Sequence, residues 1–586
     1  MLARLRLWVP VFGAALLGAC SCSSSSNPGN SPHTASSAPV KPAVPEGKTA
    51  SLLQDAWQKQ SLTPTPPADD ATFLRRATLD LWGTLPTPED LVAFEADKAP
   101  DKRAKRIDQL LNDPRFSERF AAIWTDLLLG GGKLGQGVDQ AAFRAWLKQK
   151  MEARAPWDSI VREILSGEGV NSPGGSIQER NVAAQAAVAE APAEGVHGNV
   201  NYLLRYRDSA ADLTGKTSRA FLGVQIQCAQ CHDHKTEAWT TSQFKSLAAA
   251  FIKTRGAPVD RSKGEVPIID VKDIPKARFG PKASDYNKAL ADIEPRALDG
   301  TALGDKDRRK ALADWVVSAK SGTFAKAFVN RVWAQLLGRG FVDPVDDIRP
   351  KNPPVLPELF EALANGFVSS GHDVRSVYRS VCTSDAYQRS AGPPADLWAS
   401  FALRPVPADV LFDAVVTASG LGPIVEEIAG ERADQLRART RQSFVLVMDV
   451  DEDAGNHSFE GSIAHALLLS NGAVSRFAAR DVEGSALDQA LKSPSDDARL
   501  DALYRRTLSR LPTTEERAKW KAFLDEAEKG PKKDPDHAVA GGGKKKDSPY
   551  ARLDKKLKSQ AKTPRERAYE DLFWALLNST EMATQH

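Results

Sequence analysis

The chain has 586 residues, 42% hydrophobic and 26% charged, a composition typical of globular protein and a length that suits roughly two to four domains. Lysine and arginine number 78 against 75 aspartates and glutamates, and the net charge of +3 excludes a general electrostatic attraction for nucleic acid. With five cysteines, two of them at Cys20 and Cys22, the folded body is no disulfide scaffold.

At the N-terminus, Arg4 and Arg6 precede a short apolar run over residues 7–17, interrupted by Pro10 and too short to span a bilayer. It ends in Leu17-Gly18-Ala19-Cys20, which has the form of a lipoprotein cleavage site. Residues 1–19 are therefore expected to be a signal peptide. Cys20 would carry the lipid and anchor a cell-envelope protein to a membrane, facing periplasm or exterior. Residues 20–47 are rich in Ser, Pro and Ala and are expected to be a disordered tether.

Beyond the tether the spacing predicts a mainly α protein, with two helical domains over 48–255 and 309–586 joined by a Pro/Gly-rich connection at 256–308. Phe73, Leu74, Ala77, Leu81 and Trp82 recur at helical steps until Gly83 stops the run. Thr87 is placed to cap a new helix, with Pro88 in its first turn and Glu89 and Asp90 suiting its dipole. Further helices are predicted at 101–112, 115–129, 140–151 and 157–166.

The chemistry of the first domain lies in Cys228-Ala229-Gln230-Cys231-His232-Asp233-His234. C-x-x-C-H is the arrangement that a c-type haem needs: two thiols add to the haem vinyl groups and the adjacent imidazole becomes an axial ligand. Phe221, Val224, Cys228 and Cys231 fall at i, i+3, i+7 and i+10, so a helix here would set both thiols on one apolar face. The second axial ligand is open: Met151, Met448, Met582, His197, His372, His457 and His465 are the internal candidates. Two other uses of the same residues compete. Cys228, Cys231, His232 and His234 are suitable zinc ligands, although four ligands within seven residues crowd a tetrahedron. The C-x-x-C spacing also permits a structural or redox disulfide.

In the connection, Val266-Pro267-Ile268-Ile269 is the one local strand candidate. The second block shows helical periodicity over 325–337, 356–369, 374–383, 407–419 and 463–479. Asp449, Asp451, Asp453 and Glu460 match positions 1, 3, 5 and 12 of a calcium loop, but Ala454 stands where glycine is required and polar Asn456 where an apolar residue docks. A solvated acidic loop is the expectation there. Residues 530–562, with Gly541-Gly542-Gly543-Lys544-Lys545-Lys546, read as a disordered basic loop, and 569–577 as a helix that folds back on the body. One internal echo, Leu74-Arg75-Arg76-Ala77-Thr78-Leu79 with Leu85-Pro86-Thr87 and Tyr504-Arg505-Arg506-Thr507-Leu508 with Leu511-Pro512-Thr513, reads as reuse of the same capping chemistry. Hydrolase, P-loop and dinucleotide fingerprints are lacking, and the sequence names no enzyme activity.

These motifs resemble the planctomycete-type cytochrome c-like proteins of bacterial cell envelopes. The first half is similar through residues 73–87, from Phe73-Leu74-Arg75-Arg76 to Leu85-Pro86-Thr87, and through Gln227-Cys228-Ala229-Gln230-Cys231-His232-Asp233-His234. The second half resembles the usual partner domain through Phe328-Val329-Asn330-Arg331-Val332-Trp333, Gly338-Arg339-Gly340, Thr383-Ser384-Asp385-Ala386-Tyr387-Gln388-Arg389-Ser390 and Asp571-Leu572-Phe573-Trp574. The resemblance implies architecture and an envelope location, since both domains are of unknown function. Many relatives carry an additional N-terminal haem module, where this chain has its tether, so one haem at most is expected. The reading is an envelope lipoprotein with a redox or electron-transfer role, Cys228 and Cys231 being the attachment thiols and His232 the proximal ligand. The alternative is a non-redox surface protein, partnered by an envelope protein or polysaccharide, in which the segment binds zinc or merely holds its own fold.

Overall fold

The computed structural model describes residues 39–586 except 131–133, 136, 187, 234–236, 238, 261–264, 279–283, 319, 321, 394, 449–472 and 530–556. The described chain is mainly helical. The predicted first-half helices form at Asp70–Trp82, Pro88–Ala96, Lys102–Asn112, Pro114–Leu129, Gln140–Glu152 and Trp157–Ser166. Their ends follow the local chemistry. Asp69 accepts from the Thr72 N–H at the start of the first, Gly83 ends it at φ 70°, and Thr87 accepts from the Asp90 N–H at the start of the next.

The expected tether gives way to docked chain at its C-terminal end. Val40 and Val44 are buried, the Val40 N–H donates to Asp108 Oδ1 (3.2 Å), and the Val44 N–H donates to Ser380 Oγ (3.1 Å). Two valines among small residues are enough to dock a strap once a groove is there to receive them. The connection likewise does more than link. It supplies β2 (Thr254–Asp260) and β3 (Ile268–Asp273), which with β1 (Gly169–Val170) form an antiparallel sheet in the order β1-β3-β2. Ile269, Val271, Leu290, Leu298 and Leu303 from the same stretch enter the main core.

That core runs from Val40 to Phe401 and takes residues from both halves of the chain. At its centre, Phe328 stacks on Trp124 (centroids 5.9 Å) and on Phe367 (4.6 Å), with Trp157 tilted against it at 5.3 Å. A second core joins Leu79 and Leu85 to residues between Val406 and Met582. The C-terminal helix Pro564–Leu577 folds back as expected, burying Tyr569, Leu572 and Phe573 in this second core.

Helix Asp70–Trp82 serves both cores, with Phe73, Leu74, Ala77 and Leu81 in the first and Leu79 in the second. Its two arginines are almost fully buried, 2% and 1% exposed. Arg75 donates to the carbonyls of Thr507 (2.7 Å) and Met582 (3.3 Å), and Arg76 to those of Tyr387, Arg389 (3.0 Å) and His586 (3.3 Å). Burial pushes both guanidinium pKa values down to about 10, which leaves them charged at neutral pH. One turn on, Asp80 accepts from Arg404 (2.7 and 2.8 Å), Tyr387 (2.7 Å) and Gln585 (3.2 Å). The echo motif has the same shape, helix Asp496–Leu508 followed by the Thr513-capped helix Thr514–Glu528, and it meets its counterpart directly: Arg505 pairs with Glu95 at 3.0 Å.

Two outcomes follow from these contacts. Arg75→Ala is expected to lower stability by about 3 kcal/mol, because three acceptors lose a buried charged donor; urea unfolding should show a lower midpoint at unchanged slope. Hydrogen bonds and charge from Arg510, with the Thr513 N–H, hold the Glu516 carboxyl at about 2 against an ordinary 4.5. A depressed carboxyl contributes stability above 4.5 and loses it as pH falls toward 2. The thermal-stability difference between wild type and Glu516→Gln should therefore be full at pH 6 and vanish by pH 2.

Candidate functional site around Cys228, Cys231 and His232

The helix predicted to carry the motif is not there. Helix Ala210–Thr217 widens into a π-helical turn at Ser218–Leu222 and ends at Gly223, whose φ of 64° only glycine adopts freely. A Cβ at Gly223 would lie 2.7 Å from Ile348 Cδ1, so the Ile348 side chain would have to shift to admit one. The backbone then runs outside regular structure to a 3-10 turn at Gln227–Gln230. Val224, Ile226 and Ala229 face inward and fill the core, while Cys228 and Cys231 are both exposed. The thiols thus share solvent rather than an apolar face, because Gly223 breaks the register that the helical spacing assumed. Gln227 is held where helix Ala210–Thr217 has no side chain: a Cβ at Gly215 would lie 1.5 Å from Gln227 Oε1.

Both thiols are free, as is buried Cys382. His232 is exposed, and its Nδ1 lies 2.8 Å from the carbonyl oxygen of Asp233. A carbonyl oxygen only accepts, so Nδ1 carries the proton and the Nε2 lone pair remains available. Asp233 is anchored in turn, its Oδ1 accepting from the Thr241 N–H (2.7 Å) at the start of helix Thr241–Ala248.

Residues distant in sequence complete the surroundings. The Ile348 N–H donates to the Gly223 carbonyl (2.8 Å). Asp346 accepts from Arg219 Nε (2.7 Å) and Gln225 Nε2 (2.8 Å). Burial works against its ionisation, but those two hydrogen bonds and the charges of Arg219 and Arg331 hold its carboxyl below the usual range. Past the motif, Arg349 Nη1 donates to Glu237 Oε1 at 3.0 Å. Trp239, Gln225, Glu237, Ile348 and Arg349 line a cleft of about 160 Å³. Tyr286 comes from the connection; its hydroxyl is buried without a hydrogen-bond partner, and burial together with the nearby Cys231 pushes its pKa up to about 12. None of these neighbours was legible beforehand, since only the fold brings 286 and 346–349 to 228.

The donor set suits a c-type haem: two free, accessible thiols and an exposed imidazole whose Nδ1 is held by a backbone carbonyl. The space is less enclosing, for the adjacent cleft is well below the several hundred Å³ of a buried ligand pocket. A macrocycle held here would lie largely against the surface. Among the described residues, no group of three or more Cys, His, Asp and Glu is gathered as a metal site, so Cys228, Cys231 and His232 do not converge on a point. His234, the fourth zinc candidate, lies outside the described residues, as do Cys20, the acidic run Asp449, Asp451, Asp453 and Glu460, and the axial candidates His457 and His465. Met151 and Met582 are sealed in the two cores, and His372 is wedged between Phe324 and Phe367.

Family models match the chain twice: PSCyt2, a protein of unknown function (DUF1549), over residues 50–256, and PSD1, a protein of unknown function (DUF1553), over residues 308–443. The chain belongs to the planctomycete-type pair of PSCyt2 followed by PSD1. The motif and its π turn lie in the PSCyt2 region, and Asp346, Ile348 and Arg349 in the PSD1 region. No curated protein and no solved structure matches the chain.

The exposures give a direct check. In folded protein, a neutral alkylating reagent is expected to modify Cys228 and Cys231, while Cys382, fully buried with its thiol pKa pushed up by burial, reacts only after denaturation. Peptide mass mapping reads each cysteine separately.

Proposed function

We propose that this protein is a redox protein of the bacterial cell envelope, anchored through lipidated Cys20, in which Cys228 and Cys231 attach a c-type haem and His232 Nε2 ligates its iron. The observation that carries the reading is the hydrogen bond of His232 Nδ1 to the Asp233 carbonyl, which orients the imidazole and makes Nε2 the lone-pair nitrogen of the neutral ring. The exposed thiols support it too, because covalent attachment needs both sulfurs reachable at once. Each thiol would add across a vinyl group, its sulfur forming the new C–S bond and its hydrogen passing to the other vinyl carbon, with no oxidant required. A bound haem supplies one-electron chemistry; the protein supplies attachment, one ligand and, through its shallow surroundings, close access for a partner.

A second reading rests on the cleft beside the motif. Trp239 with Gln225, Glu237 and Arg349 combines an aromatic ring with hydrogen-bonding groups, a lining that suits a sugar unit of an envelope polysaccharide. In that case the protein binds at the surface and residues 228–232 hold the turn.

Full-length protein made in an envelope with c-type maturation should show a pyridine haemochrome spectrum at one haem per chain, abolished in Cys228→Ala/Cys231→Ala. A folded wild type with no haemochrome would remove the redox reading and leave saccharide binding, followed by Trp239 fluorescence, as the function to pursue.

A further inference from the structure

The geometry points to Asp346 as the positioning residue of the segment 228–232, so that the PSD1 region supplies half of the site whose thiols lie in the PSCyt2 region. This rests on reading residues 228–232 as the working site. The segment entering the motif takes several of its contacts from outside its own region. Asn330, fully buried, donates to the carbonyls of Val342 (2.8 Å) and Val345 (3.0 Å) and accepts from the Val342 N–H (3.0 Å), which fixes the loop leading to Asp346. Asp346 then grips the segment entering the motif twice, through Arg219 in the π turn and Gln225 three residues before Cys228. Two residues on, the Ile348 N–H closes on the Gly223 carbonyl, and Arg349 takes Glu237 on the leaving side.

The PSCyt2 region packs Val224, Ile226 and Ala229 into the core, but the Gln225 side chain and the Gly223 carbonyl find their partners in the PSD1 region. Between Gly223 and Gln227 the backbone belongs to no helix or strand, and a stretch without a ladder must find partners elsewhere. The Val224 N–H finds the Ser218 carbonyl (3.2 Å), the Gly223 carbonyl finds the Ile348 N–H, and the Gln225 side chain finds the Asp346 carboxylate. Charge-assisted hydrogen bonds donated to one carboxylate by two separate residues define a direction as well as an anchor, and they hold in place the approach to the frame that buried Val224, Ile226 and Ala229 set for Cys228 and Cys231. The two family regions therefore work as one site, and neither would present the thiols in this orientation by itself.

Hydrogen–deuterium exchange on the full chain with its thiols free tests this, comparing wild type with Asp346→Ala, Asp346→Asn and Gln225→Ala. In Asp346→Ala, peptides across 223–233 are expected to exchange at least tenfold faster, while peptides across 496–528 keep wild-type rates. Asp346→Asn, which retains an acceptor for Gln225, should show a smaller increase. Gln225→Ala alters an exposed residue and leaves the core intact, so it covers the case in which the Asp346 variants fold poorly; about threefold is expected. The ratio of alkylation at Cys228 to that at Cys231 should shift at least threefold in Asp346→Ala. Exchange across 223–233 that rises only in step with 496–528, or an unchanged alkylation ratio, would overturn the proposal. A missing haemochrome in wild type together with these shifts would instead remove the haem reading and leave the positioning role standing.

Discussion

Two buried guanidinium groups set the terms for the rest of the molecule. A charge taken out of water must be matched by donors and acceptors in place, and an arginine side chain remains charged even when burial lowers its pKa. Arg75 and Arg76 meet that demand almost wholly with backbone carbonyls, drawn from residues 387–389, 507, 581–582 and the last residue of the chain. One helix near the N-terminus thereby specifies where the C-terminus lies. The apolar faces of the same helix enter both cores, so packing and hydrogen bonding agree on one arrangement. Asp80 completes the junction by drawing the strands Arg404–Pro405 and Thr584–Gln585 together beside it.

The boundaries of sequence families and the boundaries of packing differ here. The PSCyt2 and PSD1 matches leave residues 257–307 between them, yet the hydrophobic core passes through that stretch and ends only near residue 401. Apolar side chains such as Val271 and Leu290 behave as core wherever a complementary surface reaches them, whatever the flexibility suggested by the prolines and glycines around them. The motif site lies on the seam that results, with thiols from one region and supporting groups from the other.

The motif segment shows why local periodicity can mislead. Phe221 and Val224 are core residues, as the helical spacing requires, but Gly223 lies between them in the left-handed region and ends the helix. Cys228 and Cys231 then follow a new frame set by Val224, Ile226 and Ala229. The φ of 64° is what a side chain would strain at that point, and Ile348, more than a hundred residues away, would have to shift its Cδ1 to admit one. By contrast, Thr87 and Thr513 cap helices where local chemistry alone would put them, since the capping oxygen and the N–H groups it satisfies are within three residues of each other.

The sequence by itself determined the helical class, most helix ends in the first half, the order of the two family regions and the close spacing of Cys228, Cys231 and His232. These are matters of short-range spacing, side-chain chemistry and capping, all written within a few residues. Only the tertiary structure decided that the thiols face solvent, that residues 40–44 and the connection belong to the core, and that Asp346, Arg349 and Tyr286 surround the motif. Those outcomes depend on which distant surfaces meet. Burial and hydrogen-bond satisfaction are settled by the whole fold together, and no local pattern encodes them.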